Sequence, residues 1–140
     1  MKEITIVGLG AIGTKTVTLL ADKNIKLKLI DRDIIEEKNL QRQQLFTKEN
    51  LGKEKATVAK EKLSKFNKNI TAHVVNINST NISIIKSDLI LDCTDNLKTR
   101  FLINDFAIKY NIPWIYSAAV KDRCSLLNII PNKTMVQLGF

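Results

Sequence analysis

Three glycines near the start of the chain have the spacing of a phosphate-binding turn. Gly8, Gly10 and Gly13 form a G-x-G-x-x-G pattern directly after an apolar segment at residues 4–7. In such a turn the first glycine permits a tight reversal, the second lets the backbone approach a phosphate, and the third lets the next helix pack closely on the strand. The helix N-terminus then offers unpaired N–H groups and a positive dipole to an anion. The pattern therefore predicts a nucleotide site.

An acidic residue stands where the ribose of such a nucleotide would be held. Asp31 lies 18 residues past Gly13, at the end of a second strand-like segment. A carboxylate at this position can accept hydrogen bonds from ribose hydroxyls. The glycines and Asp31 fit both NAD and ATP, so they leave the choice between these ligands open.

Four further groups of polar residues follow, and together they point away from a dehydrogenase. Each group lies just after a predicted strand, at the start of a predicted helix or at the end of the next strand. They are Asp33 with Asn39-Leu-Gln-Arg-Gln43, then Gly52-Lys-Glu-Lys55-Ala, then Cys93-Thr-Asp-Asn96 with Arg100, and finally Ser117-Ala-Ala119.

Alternating strands and helices are predicted to position these groups. We expect strands at about residues 4–7, 26–30, 70–77, 88–93, 114–119 and 125–130, and helices at about 12–22, 53–66 and 97–110. Short helical turns are expected at 39–43 and 81–86. The apolar residues predicted to face inward from the helices are Val17, Leu19, Leu20, Ala21, Ala56, Ala59, Leu63, Phe66, Leu102, Ile103, Phe106 and Ala107. This order predicts an α/β, Rossmann-like, three-layer fold with a mainly parallel sheet and helices on both faces.

Composition narrows the class of protein. The 140 residues, 44 % of them apolar, suit one domain spanning residues 1–140. No stretch of 18 apolar residues and no secretory signal is visible, and Cys93 and Cys124 are too few for a disulfide framework. We therefore expect a cytoplasmic protein with reduced thiols. The net charge of +8 comes largely from scattered lysines, 18 of the 22 basic residues, which favours a nucleotide or an acidic protein partner over nucleic acid. Cys93 and His73, the only histidine, are expected to be structural.

The order and spacing of these motifs resemble the ThiF/MoeB/HesA family, the adenylating domain shared with ubiquitin-activating enzymes. The matching patterns are G-x-G-x-x-G, D-x-D, N-L-x-R-Q, G-x-x-K-A and C-T-D-N-x-x-x-R, and they cover about residues 3–130. The resemblance implies an ATP-dependent adenylyltransferase. Such an enzyme activates the C-terminal carboxylate of a small ubiquitin-like, ThiS/MoaD-type sulfur carrier ending in Gly-Gly, and forms an acyl-adenylate.

The resemblance also implies roles for individual residues. Arg42, Lys55 and Asp95 would be the catalytic residues. Arg42 and Lys55 would neutralise phosphate charge, and Asp95 would bind Mg²⁺, a hard cation that prefers carboxylate oxygen. The nucleotide-binding set would comprise Gly8, Gly10, Gly13, Asp31, Asp33, Asn39, Arg42, Lys55, Asp95 and Asn96. The attacking carboxylate is already ionised, so no general base is needed.

Several of these residues have a simpler structural explanation. Asp95 could cap the helix near residue 97. Arg42 could form a structural ion pair, Lys55 could be a solvated helix lysine, and Asp33 could be a turn former. Arg100 is expected to pin the loop that holds Asp95 rather than to touch substrate.

The chain departs from the usual family pattern in two respects. Only three residues precede the first strand, so we expect the family's preceding arginine to be absent, and residues 1–140 contain neither the paired C-x-x-C zinc motifs nor the sulfur-transfer cysteine. Cys124 does not lie where that cysteine is expected, and no zinc is expected. The alternatives are a non-catalytic or split-partner nucleotide-binding module, in which a second polypeptide supplies the missing part, and an NAD-dependent oxidoreductase. A homodimer is expected from the resemblance alone.

Overall fold

The sheet and its flanking helices follow the predicted alternation. The computed structural model describes residues 1–132, so the apolar tail noted at residues 136–140 lies outside the described residues. The strands are β1 Glu3–Val7, β2 Lys26–Ile30, β3 Ile70–His73, β4 Leu89–Asp92, β5 Trp114–Val120 and β6 Arg123–Ile129. The α-helices are α1 Ala11–Leu20, α2 Lys55–Leu63 and α3 Leu97–Tyr110, with short 3-10 turns at Glu37–Asn39, Lys48–Asn50 and Ile82–Ile85.

The six strands form one sheet in the order β3-β2-β1-β4-β5-β6. The first five are parallel, and β6 pairs antiparallel with β5. Val7 lies opposite both Ile30 and Asp92, so β1, β2 and β4 end side by side. The chain builds outward from β1 in one direction and then from β4 in the other. Ligands bind outside the carboxyl ends of parallel strands at such a reversal.

Alternate residues of the strands face two separate cores. Ile6 and Leu29 pack with Val17 of α1 and Ala59 of α2 on one face. On the opposite face Val7, Ile30 and Trp114 pack with Ile103 and Phe106 of α3. Each fully buried aliphatic or aromatic side chain contributes about 1.5–3 kcal/mol. The predicted α/β arrangement, with a mainly parallel sheet and helices on both faces, is therefore confirmed.

The ends of α3 are set by two asparagines. Asn96 is the N-cap, and its side chain accepts a hydrogen bond from the Thr99 backbone N–H at 2.9 Å. Asn111 adopts the left-handed conformation, φ 53°, and its N–H bonds to Ala107 and Ile108. The predicted helix at 97–110 is confirmed, and the suggestion that Asp95 caps it is wrong because Asn96 does so.

Several details of the fold predicted from the sequence are wrong. The α2 helix ends at Leu63, so Phe66 lies beyond its last turn and is 62 % exposed. Leu19 of α1 is 61 % exposed because the inward stripe of this helix runs through Thr14 and Val17. The strand predicted to reach residue 77 ends at His73. No helix in residues 1–132 is both long and apolar enough to cross a membrane.

Candidate nucleotide-binding site

A cleft of about 530 Å³ opens at the carboxyl ends of β1, β2, β4 and β5. Six separate segments of the chain contribute to its wall. Nine of the ten residues predicted to bind nucleotide line it, and Gly13 does not. The nine are Gly8, Gly10, Asp31, Asp33, Asn39, Arg42, Lys55, Asp95 and Asn96.

The three glycines of the turn face different surroundings. Gly8 has φ +92°, and a Cβ added there would lie 2.7 Å from the carbonyl oxygen of Cys93. A Cβ on Gly13 would lie 1.9 Å from the Gly8 carbonyl oxygen, a distance too short for any side chain to occupy this position. A Cβ on Gly10 would meet nothing within 4 Å, and Gly10 lines the cleft. Gly8 and Gly13 are thus required by the fold, while Gly10 is open to a ligand.

Asp31 joins the end of β2 to the glycine turn. Its Oδ2 accepts a hydrogen bond from the Leu9 N–H at 2.6 Å, and its Oδ1 accepts one from the Asp33 N–H at 2.7 Å. Burial raises the pKa of Asp31 above its ordinary value, although these two N–H groups and Lys55 oppose the change. Sequence reasoning assigned Asp31 to a ribose and missed this anchoring role. The available signal was the position of Asp31 directly after the second predicted strand, which a parallel sheet places beside the glycine turn.

Lys55 is a buried cation rather than a solvated one. It is 5 % exposed, and its Nζ lies 3.9 Å from Asp33 Oδ2, which is an ion-pair separation beyond hydrogen-bond range. The simpler explanation, a solvated helix lysine, is therefore wrong. Because Lys55 lines the cleft, its ammonium group can donate to an anion placed there.

The Asn39 amide is oriented by a capping box. Its side-chain oxygen accepts from the Glu36 N–H at 3.0 Å, and the Glu36 side chain accepts from the Asn39 backbone in return. Because Oδ1 is fixed as the acceptor, the Nδ2 end of the amide is the end available to a ligand. Arg42 follows at the exposed rim of the cleft. Within residues 1–132 it forms no ion pair, so the structural ion-pair explanation is not supported.

Asp95 and Asn96 lie between β4 and α3. The side-chain oxygen of Asn96 accepts the hydrogen bond that caps α3. The exposed Asp95 side chain makes no hydrogen bond or ion pair to any residue from 1 to 132. Arg100 donates to the carbonyl oxygens of Thr94 and Ser117. The prediction that Arg100 holds the loop carrying Asp95 is therefore confirmed.

Gln43 is a cleft residue for which sequence reasoning gave no role. It is 3 % exposed, lines the cleft, and its Oε1 finds no hydrogen-bond partner among the described residues. A buried, unpaired amide oxygen costs free energy unless a ligand or water donates to it. Its place in the N-L-x-R-Q motif was the available signal.

The two thiols are expected to differ in reactivity. Cys93 lies one residue past β4, with its Sγ 3.6 Å from Ser117 Oγ, and burial raises its pKa from 9.0 to about 11. A pKa higher by this much makes the thiolate about 100-fold scarcer than in a free thiol.

We expect iodoacetamide at neutral pH to modify exposed Cys124 quickly and Cys93 at least about 100-fold more slowly, as followed by mass spectrometry. Equal rates at the two sites, with Cys124→Ser identifying the peptides, would contradict this assignment.

Comparisons with known proteins agree with the motifs and the fold. Residues 1–137 match the ThiF family model. The sulfur carrier protein ThiS adenylyltransferase of Bacillus subtilis (strain 168) is 36 % identical in an alignment of 136 positions that covers 92 % of this chain and 40 % of that protein. The enzyme of the same name from Escherichia coli (strain K12) is 34 % identical over 92 % of this chain and 53 % of its own length. The chain thus spans about half or less of these relatives.

Solved structures give the same result. E. coli MccB with ATP superposes with a TM-score of 0.84 at 29 % identity, covering 94 % of this chain and 42 % of MccB. MccB with AMPCPP and MccA superposes with a TM-score of 0.87 at 31 % identity, covering 95 % and 42 %. These matches confirm the Rossmann-like fold. Because the family model also matches nearly the whole length, the chain belongs to the ThiF family.

Proposed function

We propose that this chain carries the ATP-dependent adenylylation site of an enzyme that activates the C-terminal carboxylate of a small ubiquitin-like, ThiS/MoaD-type sulfur carrier. The observation behind the proposal is the convergence of Asn39, Arg42, Lys55 and Asp95 on one cleft above the glycine turn. Relatives named sulfur carrier adenylyltransferases, and MccB structures with ATP, support it. The chain spans only 40 % and 53 % of the lengths of two such relatives.

The nucleotide is placed by complementary charges. Its phosphates lie near Gly10 and the N-terminus of α1, where no side chain caps the helix and no acidic residue occupies the first turn. Arg42 and Lys55 neutralise the phosphates, and the Asn39 Nδ2 donates to a phosphate oxygen. Asp31 keeps a free lone pair on each carboxylate oxygen and accepts from the ribose hydroxyls.

The reaction is a displacement at the α-phosphorus of ATP. A carboxylate oxygen of the carrier attacks that phosphorus, a new P–O bond forms, and the bond to the β-phosphate oxygen breaks. Pyrophosphate leaves with the electron pair, and the carrier becomes an acyl-adenylate. The proton balance is closed because the carboxylate enters ionised. Arg42 and Lys55 stabilise the charge that accumulates on the leaving pyrophosphate.

Asp95 is proposed as the magnesium ligand. Residues 1–132 hold no group of three or more His, Cys, Asp or Glu that could cage a metal, so the protein would supply only one or two ligands. One or two carboxylates, with phosphate oxygens and water, are the usual magnesium arrangement in nucleotide sites. The single exposed Asp95 fits that donor set. When bound, magnesium would neutralise phosphate charge and orient the leaving group. That no zinc is needed stays a prediction.

The partner is proposed to be an acidic carrier ending in Gly-Gly. A net charge of +8 favours its approach to the cleft. We also propose a homodimer or a second polypeptide, because Val120, Leu126 and Leu127 of the β5–β6 hairpin are 68 %, 69 % and 45 % exposed. Light scattering of the purified chain tests the dimer. The single-domain extent, the cytoplasmic location and the absence of nucleic-acid binding stay predictions.

ATP–pyrophosphate exchange tests the proposal directly. Exchange is measured with ThiS- and MoaD-type carriers, each compared with a version lacking the terminal Gly-Gly, and ATP binding is measured in parallel by calorimetry. Exchange that depends on the intact terminus supports the proposal. Tight ATP binding without exchange indicates the non-catalytic or split-partner module instead. Neither exchange nor ATP binding, with NAD bound in competition, would favour the oxidoreductase.

Asn39→Asp is expected to separate the structural role of Asn39 from its proposed ligand role. Aspartate keeps an oxygen for the Glu36 N–H, so the melting temperature changes little. It removes the Nδ2 donor and sets a negative charge beside the phosphates, so ATP affinity falls about 10- to 100-fold. Calorimetry and thermal unfolding check both parts. Asn39→Ala, which also loses the cap, is the control and should lower stability as well. Unchanged ATP affinity in Asn39→Asp would contradict the role.

A further inference from the structure

One buried arginine in the wall of the cleft joins the loop after β4 to β5. Arg100 is 7 % exposed, and its Nη2 donates to the carbonyl oxygen of Thr94 and, at 3.0 Å, to that of Ser117. Thr94 precedes Asp95, and Ser117 precedes the part of β5 that lines the cleft. The guanidinium therefore fixes the loop after β4 to the middle of β5.

The position of the guanidinium is itself held on three sides. Asp92, fully buried, places its Oδ2 3.4 Å from Arg100 Nε, and its Oδ1 accepts from the Thr94 N–H at 2.9 Å and the Thr94 hydroxyl at 2.6 Å. The Tyr116 hydroxyl accepts from Arg100 Nη1 at 2.8 Å, and the guanidinium lies 4.5 Å from the Tyr116 ring centre. A buried charge with this many partners moves only if several charge-assisted hydrogen bonds break together.

Asp95 has no anchor of its own. Its side chain makes no hydrogen bond or ion pair to residues 1–132, so its place is set by its two neighbours. Asn96 is fixed by the α3 cap, and Thr94 is fixed by Asp92 and Arg100. The Asp95 carboxylate is thus presented from a short span with both ends held.

We infer that Arg100 is a positioning residue that sets the Asp95 carboxylate for a magnesium–nucleotide complex. The inference rests on the proposed function and extends it to a residue of the cleft wall that acts through Asp95. Magnesium requires near-octahedral geometry, so a small displacement of the Asp95 carboxylate is costly. Groups that orient a metal ligand typically change metal affinity 10- to 100-fold when they are altered.

Arg100→Lys is the discriminating variant. Lysine keeps a cation beside Asp92, so no buried carboxylate is left uncompensated, but one ammonium cannot reproduce the planar fork that reaches Thr94, Ser117 and Tyr116. The probe is ATP, titrated by calorimetry once with excess magnesium chloride and once with EDTA. The quantity of interest is the magnesium gain, the ratio of the Kd in EDTA to the Kd in magnesium.

The expected result is a loss confined to the magnesium gain. In Arg100→Lys the gain falls at least about tenfold, or to one, while the Kd in EDTA stays within about twofold of wild type. Adding Arg100→Lys to Asp95→Ala produces no further loss, because the first change acts through the second residue. Ile103→Val is the matched control. This substitution removes a methyl group from a fully buried residue of α3, so it should lower stability but leave the magnesium gain unchanged.

Other outcomes overturn either the inference or the proposed function. If Arg100→Lys weakens ATP binding equally in magnesium and in EDTA, or keeps the full gain, Arg100 does not position Asp95. If wild type itself shows no magnesium-dependent ATP binding, the proposed function fails first. Should Arg100→Lys not fold, Asp92→Asn takes its place: it keeps an acceptor for Thr94 and sets an amide donor against Arg100 Nε, so the gain should again fall. An unchanged gain in Asp92→Asn also overturns the inference.

Discussion

Asp95→Ala is expected to lower carrier-dependent pyrophosphate exchange about 10³-fold, equivalent to about 4 kcal/mol of transition-state stabilisation. Among the described residues no cluster of three or more metal-ligating side chains can hold the proposed magnesium, so most of the protein's contribution is lost with this side chain. Stability should not change, because Asp95 is exposed and Asn96, not Asp95, caps α3. Exchange rates and thermal unfolding, measured on the same preparation, check the two statements.

Two further variants make the Asp95 result specific. Asp105→Ala removes an exposed carboxylate from α3, away from the cleft, and should retain full exchange. Asp95→Asn keeps a neutral oxygen ligand and should retain more activity than alanine. If Asp95→Ala kept most of the exchange activity at low magnesium concentration, the metal-ligand role would be wrong. A large loss of melting temperature would instead indicate a structural role.

Gly13→Ala is expected to disrupt the fold rather than only the site. The new methyl carbon would lie 1.9 Å from the Gly8 carbonyl oxygen and 2.9 Å from the Gly8 carbonyl carbon, both in the backbone. Relief requires α1 to move away from the glycine turn, at a cost of about 3 kcal/mol or more. At this chain length that corresponds to a melting temperature lower by about 10 °C. Circular dichroism during heating measures it.

Gly10→Ala is the matched control for Gly13→Ala. Gly10 has φ −79° and open space around its added Cβ, so alanine fits without strain and the melting temperature should stay within about 2 °C. The methyl group projects where the nucleotide backbone contact is proposed, so ATP affinity should fall about tenfold or more. Equal melting temperatures for the two variants would show that a Cβ at position 13 does not collide with the Gly8 carbonyl group.

Local signals in the sequence were sufficient where one residue decides an element boundary. The α3 helix was predicted at its observed bounds because Asn111 and Pro113 stop it. The end of β2 was predicted correctly because Asp31 follows the last residue of the strand. The α2 helix was predicted too long at its start. Glu54, which was predicted to be helical, is extended because it forms a β-bridge with Ile34. This contact spans 20 positions of the chain, and hydrophobic periodicity does not reveal it.

The identity of the cleft residues could be predicted, but their environments could not. Motif spacing selected Lys55 and Asp33, yet only the folded chain shows that Lys55 is buried with Asp33 3.9 Å away. Likewise, Arg100 was expected to hold a loop, but its contact with Ser117 depends on the register of Asp92 with Tyr116 in the sheet. Burial and cross-strand contacts come from tertiary packing, which a single sequence records only indirectly.

The outer strand β6 is also expected to affect how the chain behaves in concentrated solution. Among residues 1–132, β6 pairs with β5 on one side only, contains no proline, and carries a single charge, Arg123. Strand edges that lack proline, inward charge or a cover act as templates for aggregation. Colloidal stability should therefore depend on this seven-residue strand more than on the net charge of +8, and crowding or storage will act on it first.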